Sequence, residues 1–98
     1  MRLGNICTFK INFPEADFWL QRKGSEKTVG APTKEFDEEN IGVKVREEYE
    51  NRVNPNYLYY YFQYLHQQGF FAPISHGTLQ LKNITISDIK SIPINFSE

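Results

Sequence analysis

Hydrophobic and polar residues follow one another along this chain in patterns that predict a short series of elements. Over residues 3–13, Ile6, Phe9, Ile11 and Phe13 are set among polar residues in rough alternation, the period of a strand, and Pro14 stops it. Residues 17–22 form a second strand candidate, with Phe18-Trp19-Leu20 as an apolar run before Gln21-Arg22-Lys23. Gly24-Ser25 and Gly30-Ala31-Pro32 mark turns, and the stretch between them is the most loop-like part of the chain. Ile41-Gly42-Val43-Lys44-Val45 alternates cleanly and predicts a half-buried strand, whereas residues 46–52 fit a helical turn or a loop equally well.

The clearest element is a helix over residues 55–68. Asn54 can cap it, Pro55 suits its first position, and Gly69 is placed to end it in a left-handed conformation. Leu58, Tyr61, Phe62 and Leu65 form one stripe at helical spacing, the signature of a core-facing surface. Tyrosines at 57, 59, 60, 61 and 64 make nearly every face aromatic, so the helix is expected to meet more than one neighbour, with Tyr59 and Tyr60 as candidate partner-binding residues. Beyond it, residues 70–74 are apolar and broken by a proline, residues 79–82 alternate as a strand would, and Ser87 is the expected cap of a short helix near 87–91 with Asp88 in its first turn. Residues 92–96 close the chain as an edge-type strand, because Pro93 cannot donate to a ladder. The reading is α+β, a small mixed or antiparallel sheet packed with one main helix and one short one, in a single domain over residues 1–98.

Composition fits that picture: 40% hydrophobic, 15% aromatic and 23% charged residues argue for a packed core and against disorder. A chain of 98 residues holds one such core, with a stability margin of about 5–10 kcal/mol. No apolar run approaches the length of a membrane span and the amino terminus lacks a signal-peptide stretch, so the expected location is the cytoplasm, with no membrane partner. Cys7 is the one cysteine, so no internal disulfide forms, and its strand-like surroundings predict a buried structural thiol.

Charge is segregated although the net is only −1. Residues 21–34 hold Arg22, Lys23, Lys27 and Lys34 against Glu26, whereas residues 35–50 hold seven acids against Lys44 and Arg46. Catalytic signatures are sparse. His66 and His76 have no second ligand at zinc spacing, no serine sits in an elbow motif, and no glycine-rich phosphate loop is present. The acidic run at residues 35–39 lacks the ligand alternation of a calcium loop and reads as a solvated face. A nuclease would need Asp17 and Glu15 together to hold a divalent cation, which is the one enzymatic alternative; the main reading is non-enzymatic, with no metal or cofactor.

Several blocks in fixed order carry a family resemblance: Arg2-Leu3-Gly4-Asn5-Ile6-Cys7, Arg22-Lys23-Gly24-Ser25, the run from Val53-Asn54-Pro55 to Tyr61-Phe62, Gly77-Thr78-Leu79-Gln80, and the ending Ile84-Thr85-Ile86-Ser87-Asp88-Ile89-Lys90-Ser91-Ile92-Pro93-Ile94. Together they resemble the target recognition domain of type I restriction-modification specificity subunits, over nearly the whole chain. The resemblance implies sequence-specific recognition of double-stranded DNA, with a DNA methyltransferase or restriction subunit as partner. Arg22, Lys23, Lys27 and Lys34 would meet phosphates, and Gln21, Arg22, His76, Thr78 and Gln80 would supply base-edge contacts. Family domains occur in pairs separated by long helices, so a homodimer would be the equivalent arrangement here. The stretch between the basic turn and the tyrosine-rich helix is shorter than the family's, and the near-neutral charge suits a DNA binder poorly. That charge, with the lack of the family's helical spacer, motivates the alternative, a protein-interaction module on the same fold, for example a phage-encoded one that engages a host restriction-modification subunit.

Overall fold

A computed structural model describes residues 1–94 of the chain. It is an α+β arrangement with a four-stranded antiparallel sheet, a separate three-stranded antiparallel ribbon and four helices among the described residues. The elements are α1 (Leu3–Ile6), β1 (Cys7–Ile11), β2 (Phe18–Leu20), β3 (Lys23–Gly24), β4 (Pro32–Thr33), β5 (Ile41–Val45), a 3-10 turn (Glu47–Tyr49), α2 (Pro55–Gln67), α3 (Phe71–Ile74), β6 (His76–Gly77), β7 (Lys82–Asn83) and α4 (Ile86–Lys90).

The main sheet runs β1-β5-β2-β4. Its register sets Phe9, Val43 and Phe18 in one cross-strand row and Ile11, Ile41 and Leu20 in the next. Strand side chains alternate between faces, so these rows line the side on which α2 lies. There Phe18 meets Tyr59 edge-on at 5.6 Å and Phe62 at 5.8 Å, and Phe62 stacks on Phe71 at 6.3 Å. Phe18, Phe62 and Phe71 are almost wholly buried, and α1 and α4 complete the same core with Leu3, Ile6 and Ile89.

β5 is expected to be half-buried, yet four of its five residues are buried. The difference lies on the far face, where Trp19 sits opposite Gly42 and donates its indole N–H to the Phe13 carbonyl at 2.9 Å. The 13–16 loop crosses so closely that a Cβ on Gly42 would lie 2.6 Å from the Phe13 Cβ and 2.9 Å from that of Ala16.

α2 follows its sequence signals closely. Asn54 accepts the Asn56 amide at 2.8 Å, Pro55 opens the helix, and Gly69 follows at φ +74°. Leu58 and Phe62 are buried, with Tyr61 and Leu65 packed against the core beside them.

Four expectations need correction. The strand expected over residues 3–13 begins with a helical turn, because the Arg2 amide donates to the Asn5 side chain at 2.8 Å and Leu3 and Ile6, three apart, both point inward. Residues 79–81 are the tip of a hairpin, not a strand: the Thr78 hydroxyl accepts the Leu81 amide at 3.2 Å, and pairing resumes only at Lys82. The cap of α4 is Thr85, not Ser87; it accepts the Asp88 amide at 3.2 Å while Asp88 accepts the Thr85 amide at 3.1 Å, the reciprocal capping box. Of the closing strand expected over 92–96, the described residues 92–94 form a single bridge between Arg2 and Pro93, flanked by hydrogen bonds from Leu3 to Ile92 and from Ile94 to Met1, while 95 and 96 lie outside the described residues. Among the described residues no helix is long and apolar enough to cross a membrane.

Replacing Gly42 by Ala should force the 13–16 loop off the sheet. The expected outcome is a loss of about 1–3 kcal/mol in a urea titration, typical of overpacking.

Candidate nucleic-acid interface

The basic turn and the 76–83 hairpin, more than fifty residues apart in the chain, meet in the small ribbon β3-β7-β6. Beyond Leu20 the chain leaves the main sheet and changes partners. The Gln21 amide still bonds to the Ala31 carbonyl, then the Arg22 carbonyl accepts the Ile84 amide at 3.0 Å, and Lys23–Gly24 pair with Lys82–Asn83.

The turn after β3 is closed by its own hydroxyls. The Ser25 amide donates to the Thr28 Oγ1 at 2.9 Å and the Lys27 amide to the Ser25 Oγ at 3.2 Å. It is fastened to the body twice. The His66 ring, on α2, hydrogen-bonds the Lys27 carbonyl at 2.8 Å. Gly30 lies at φ +85° directly on the Phe71 ring, where any side chain would collide. The hairpin tip joins the turn through the Glu26 amide, which donates to the Leu79 carbonyl at 3.0 Å.

This arrangement sorts the candidate residues. Lys23, Lys27, His76, Thr78 and Gln80 all stand exposed on the ribbon and its loops, and Gln21 braces the ribbon by donating to the Lys23 carbonyl at 2.9 Å. Paired residues share a face, so Lys23, Asn83 and His76 lie on one side of the ribbon. Lys82 falls on the other side, between Gly24 and Gly77, which have no side chains to cover it.

Two candidates are elsewhere. Arg22 turns to the acidic loop, where its Nε donates to the Glu39 carbonyl at 2.6 Å and its Nη2 pairs with the Glu39 carboxylate at 2.8 Å. Lys34 sits at the start of α2, donating to Asn56 at 3.1 Å with its ammonium 4.9 Å from the centre of the Tyr59 ring. Of the two candidate partner tyrosines, Tyr59 is half-buried against Phe18, while Tyr60 is 62% exposed. Tyr57 and Tyr64 share its exposed face of α2.

Residues missed in the sequence are Lys82, Leu79 and Leu81. The leucines are 62% and 77% exposed at the tip, although their alternation reads as a strand with a buried side. Lys82 gave no local signal, since its relation to Lys23 exists only through strand pairing.

Several other titratable groups are committed to structure. Asp17, the carboxylate of the nuclease alternative, accepts the Val45 amide at 2.9 Å and lies 3.8 Å from the Lys44 ammonium. Among the described residues no three His, Cys, Asp or Glu side chains gather as a metal ion would require. Burial pushes the Cys7 thiol up to about 12, with Asp17 adding to the shift, so it is a protonated core group at neutral pH. A cleft of about 300 Å³ is lined by Phe70, Ile74, Asp88 and Pro93 among others, and Asp88, its one ionisable group among the described residues, already serves Thr85 and His76. Burial alone would raise the Asp88 carboxyl, but hydrogen bonds from Thr85 and the nearby His76 outweigh it and hold the group below the usual carboxylate range.

No family model, curated protein or solved structure matches this chain.

Because the folded-state value of Asp88 is depressed, its contribution to stability is complete above the ordinary carboxylate range and is lost as pH falls through that range towards the folded value. Asp88→Asn should therefore melt below the parent protein at about pH 6, and the gap between the two melting curves should narrow as the pH is lowered through the carboxylate range. A constant gap over that interval would place the stabilisation outside the carboxylate charge.

Proposed function

We propose that this domain is a non-enzymatic module for recognising double-stranded DNA, as its resemblance to type I target recognition domains implies, and that the β3-β7-β6 ribbon is its contact surface. The observation that carries the reading is the convergence of Gln21, Lys23, Lys27, His76, Thr78 and Gln80 on that ribbon from two distant segments. The two-stranded β6-β7 hairpin at the end of this ribbon is an element that the major groove of B-DNA admits. Lys23 on the neighbouring β3 and Lys82 on β7, on opposite faces of the ribbon, would meet the phosphates that flank the groove. Thr78 and Gln80 at the tip carry the donors and acceptors that base edges need. The acidic 35–39 loop is held back by Arg22, which thus shields the interface from repulsion and is not itself a phosphate contact. A methyltransferase or restriction subunit would be the partner to which such a module brings specificity, and a second copy of the chain would supply the other half of a two-domain reader.

Lys23→Ala and Lys82→Ala should each lower duplex affinity and reduce the slope of log K against log salt by about 0.9, the effect of one phosphate contact. Arg22→Ala should leave that slope unchanged. Fluorescence anisotropy across a salt series reads all three, and an unaltered slope in both lysine variants would remove the ribbon as the site.

One observation favours a second reading, a protein-interaction module. Pro55–Gln67 contains no Asp, Glu, Lys or Arg, yet Tyr57, Tyr60 and Tyr64 stand exposed on one face of it. Tyrosine enrichment with depletion of charge is the composition of an interface core. If that face binds a restriction-modification subunit, Tyr60→Ser/Tyr64→Ser should abolish co-purification of the complex while leaving the melting temperature within a few degrees. Complex formation by the double variant would rule this face out.

A further inference from the structure

The hairpin tip presents Leu79 and Leu81 to solvent, 62% and 77% exposed, with Gln80 between them. Neither leucine belongs to the core of the described residues, and the tip that carries them is held in place. The Leu79 carbonyl accepts the Glu26 amide at 3.0 Å, and the Leu81 amide donates to the Thr78 carbonyl at 3.3 Å and to its hydroxyl at 3.2 Å. Gly77, at φ +104°, fits closely against the Leu81 carbonyl, so the turn has no room for a side chain there. Around this apolar tip the charges favour a polyanion: Lys23, Lys27 and Lys82 lie on the ribbon and its turn, with Glu26 as the turn's own carboxylate.

We infer that Leu79 and Leu81 read the 5-methyl groups of thymine in the major groove, with Gln80 placed to bond adjacent adenine, so that the module selects A·T base pairs. The inference rests on the DNA reading above and deepens it. The chemistry is specific, because the thymine methyl is the one apolar group that the four bases display in the major groove. A side-chain amide is the complementary group for adenine, whose N7 accepts and whose N6 donates. An aliphatic contact to a methyl removes apolar surface from water on both sides, whereas the same leucine against a cytosine or guanine edge would desolvate polar atoms without pairing them.

The test uses the whole chain and a duplex selected from a random library. Its affinity is then measured for that duplex and for the same duplex with deoxyuridine in place of thymine, which removes only the methyl groups. Affinity should fall about fourfold for each methyl contacted, from the transfer value of one buried carbon. Leu79→Ala/Leu81→Ala should bind the thymine duplex more weakly and be indifferent to deoxyuridine, while keeping the parent's salt slope, which reports an intact lysine interface. Unchanged affinity of the parent for the deoxyuridine duplex, or selection of duplexes without A·T pairs, overturns the methyl contact and leaves DNA recognition standing. Equal sensitivity of parent and double variant to deoxyuridine assigns the methyls to other residues and overturns the role of the leucines. No binding of the parent to any duplex removes both this inference and the reading beneath it.

Discussion

The stacked and tilted rings of Phe18, Phe62 and Phe71 are the contact on which the rest of the molecule depends. Phe18 belongs to the main sheet, Phe62 to the long helix and Phe71 to the short helix that follows it, so three elements share one buried aromatic cluster. Aromatic rings supply large buried areas from few side chains, which matters in a domain too small for a second core. The cluster also reaches the candidate site. Phe71 is the floor on which Gly30 rests, and Gly30 ends the basic turn whose amide holds the hairpin tip. Core and surface loop are thereby one mechanical unit.

Electrostatics are arranged around that unit by pairing more than by abundance. The chain is close to neutral, with twelve acids against eleven bases, yet the acids fall mostly in one exposed belt. Arg22 ties the 35–39 part of the belt down through Glu39, Lys44 lies beside Asp17, and His76 faces Asp88. Lysines 23, 27 and 82 enter none of these ion pairs. The nearly neutral composition that argued against DNA binding therefore conceals a local surplus on the ribbon, because a polyanion responds to the charge within about a Debye length and not to the total.

The helix α2 was legible in the sequence down to its cap, its proline and its terminating glycine, because each of those signals acts within four residues. β5 was legible in extent, but not in burial, since nothing near Gly42 announces that the 13–16 loop will cross it. Short elements were misread where local chemistry competes with alternation. The Arg2–Asn5 bond turns the start of the first strand into a helical turn, and the Thr85–Asp88 box moves the cap of α4 two residues ahead of Ser87. At residues 79–81 the alternation itself misled, since an exposed hairpin tip and a half-buried strand have the same pattern.

For the candidate site the division is similar. The residue types were readable: a basic turn at residues 21–27, hydroxyl and amide groups at 78 and 80, and a tyrosine-rich helix, all properties of composition and short spacing. Which of them act together was not. Arg22 and Lys23 are neighbours in sequence, but one side chain reaches Glu39 and the other stands on the ribbon opposite Asn83. Tyr59 and Tyr60 are neighbours on one helix, but one packs on Phe18 and the other faces solvent. By itself the sequence determined the elements whose signals are local, the α+β class and the stock of chemical groups. Only the tertiary structure decided which groups share a surface, because strand pairing between residues sixty apart is a long-range choice that no local spacing encodes.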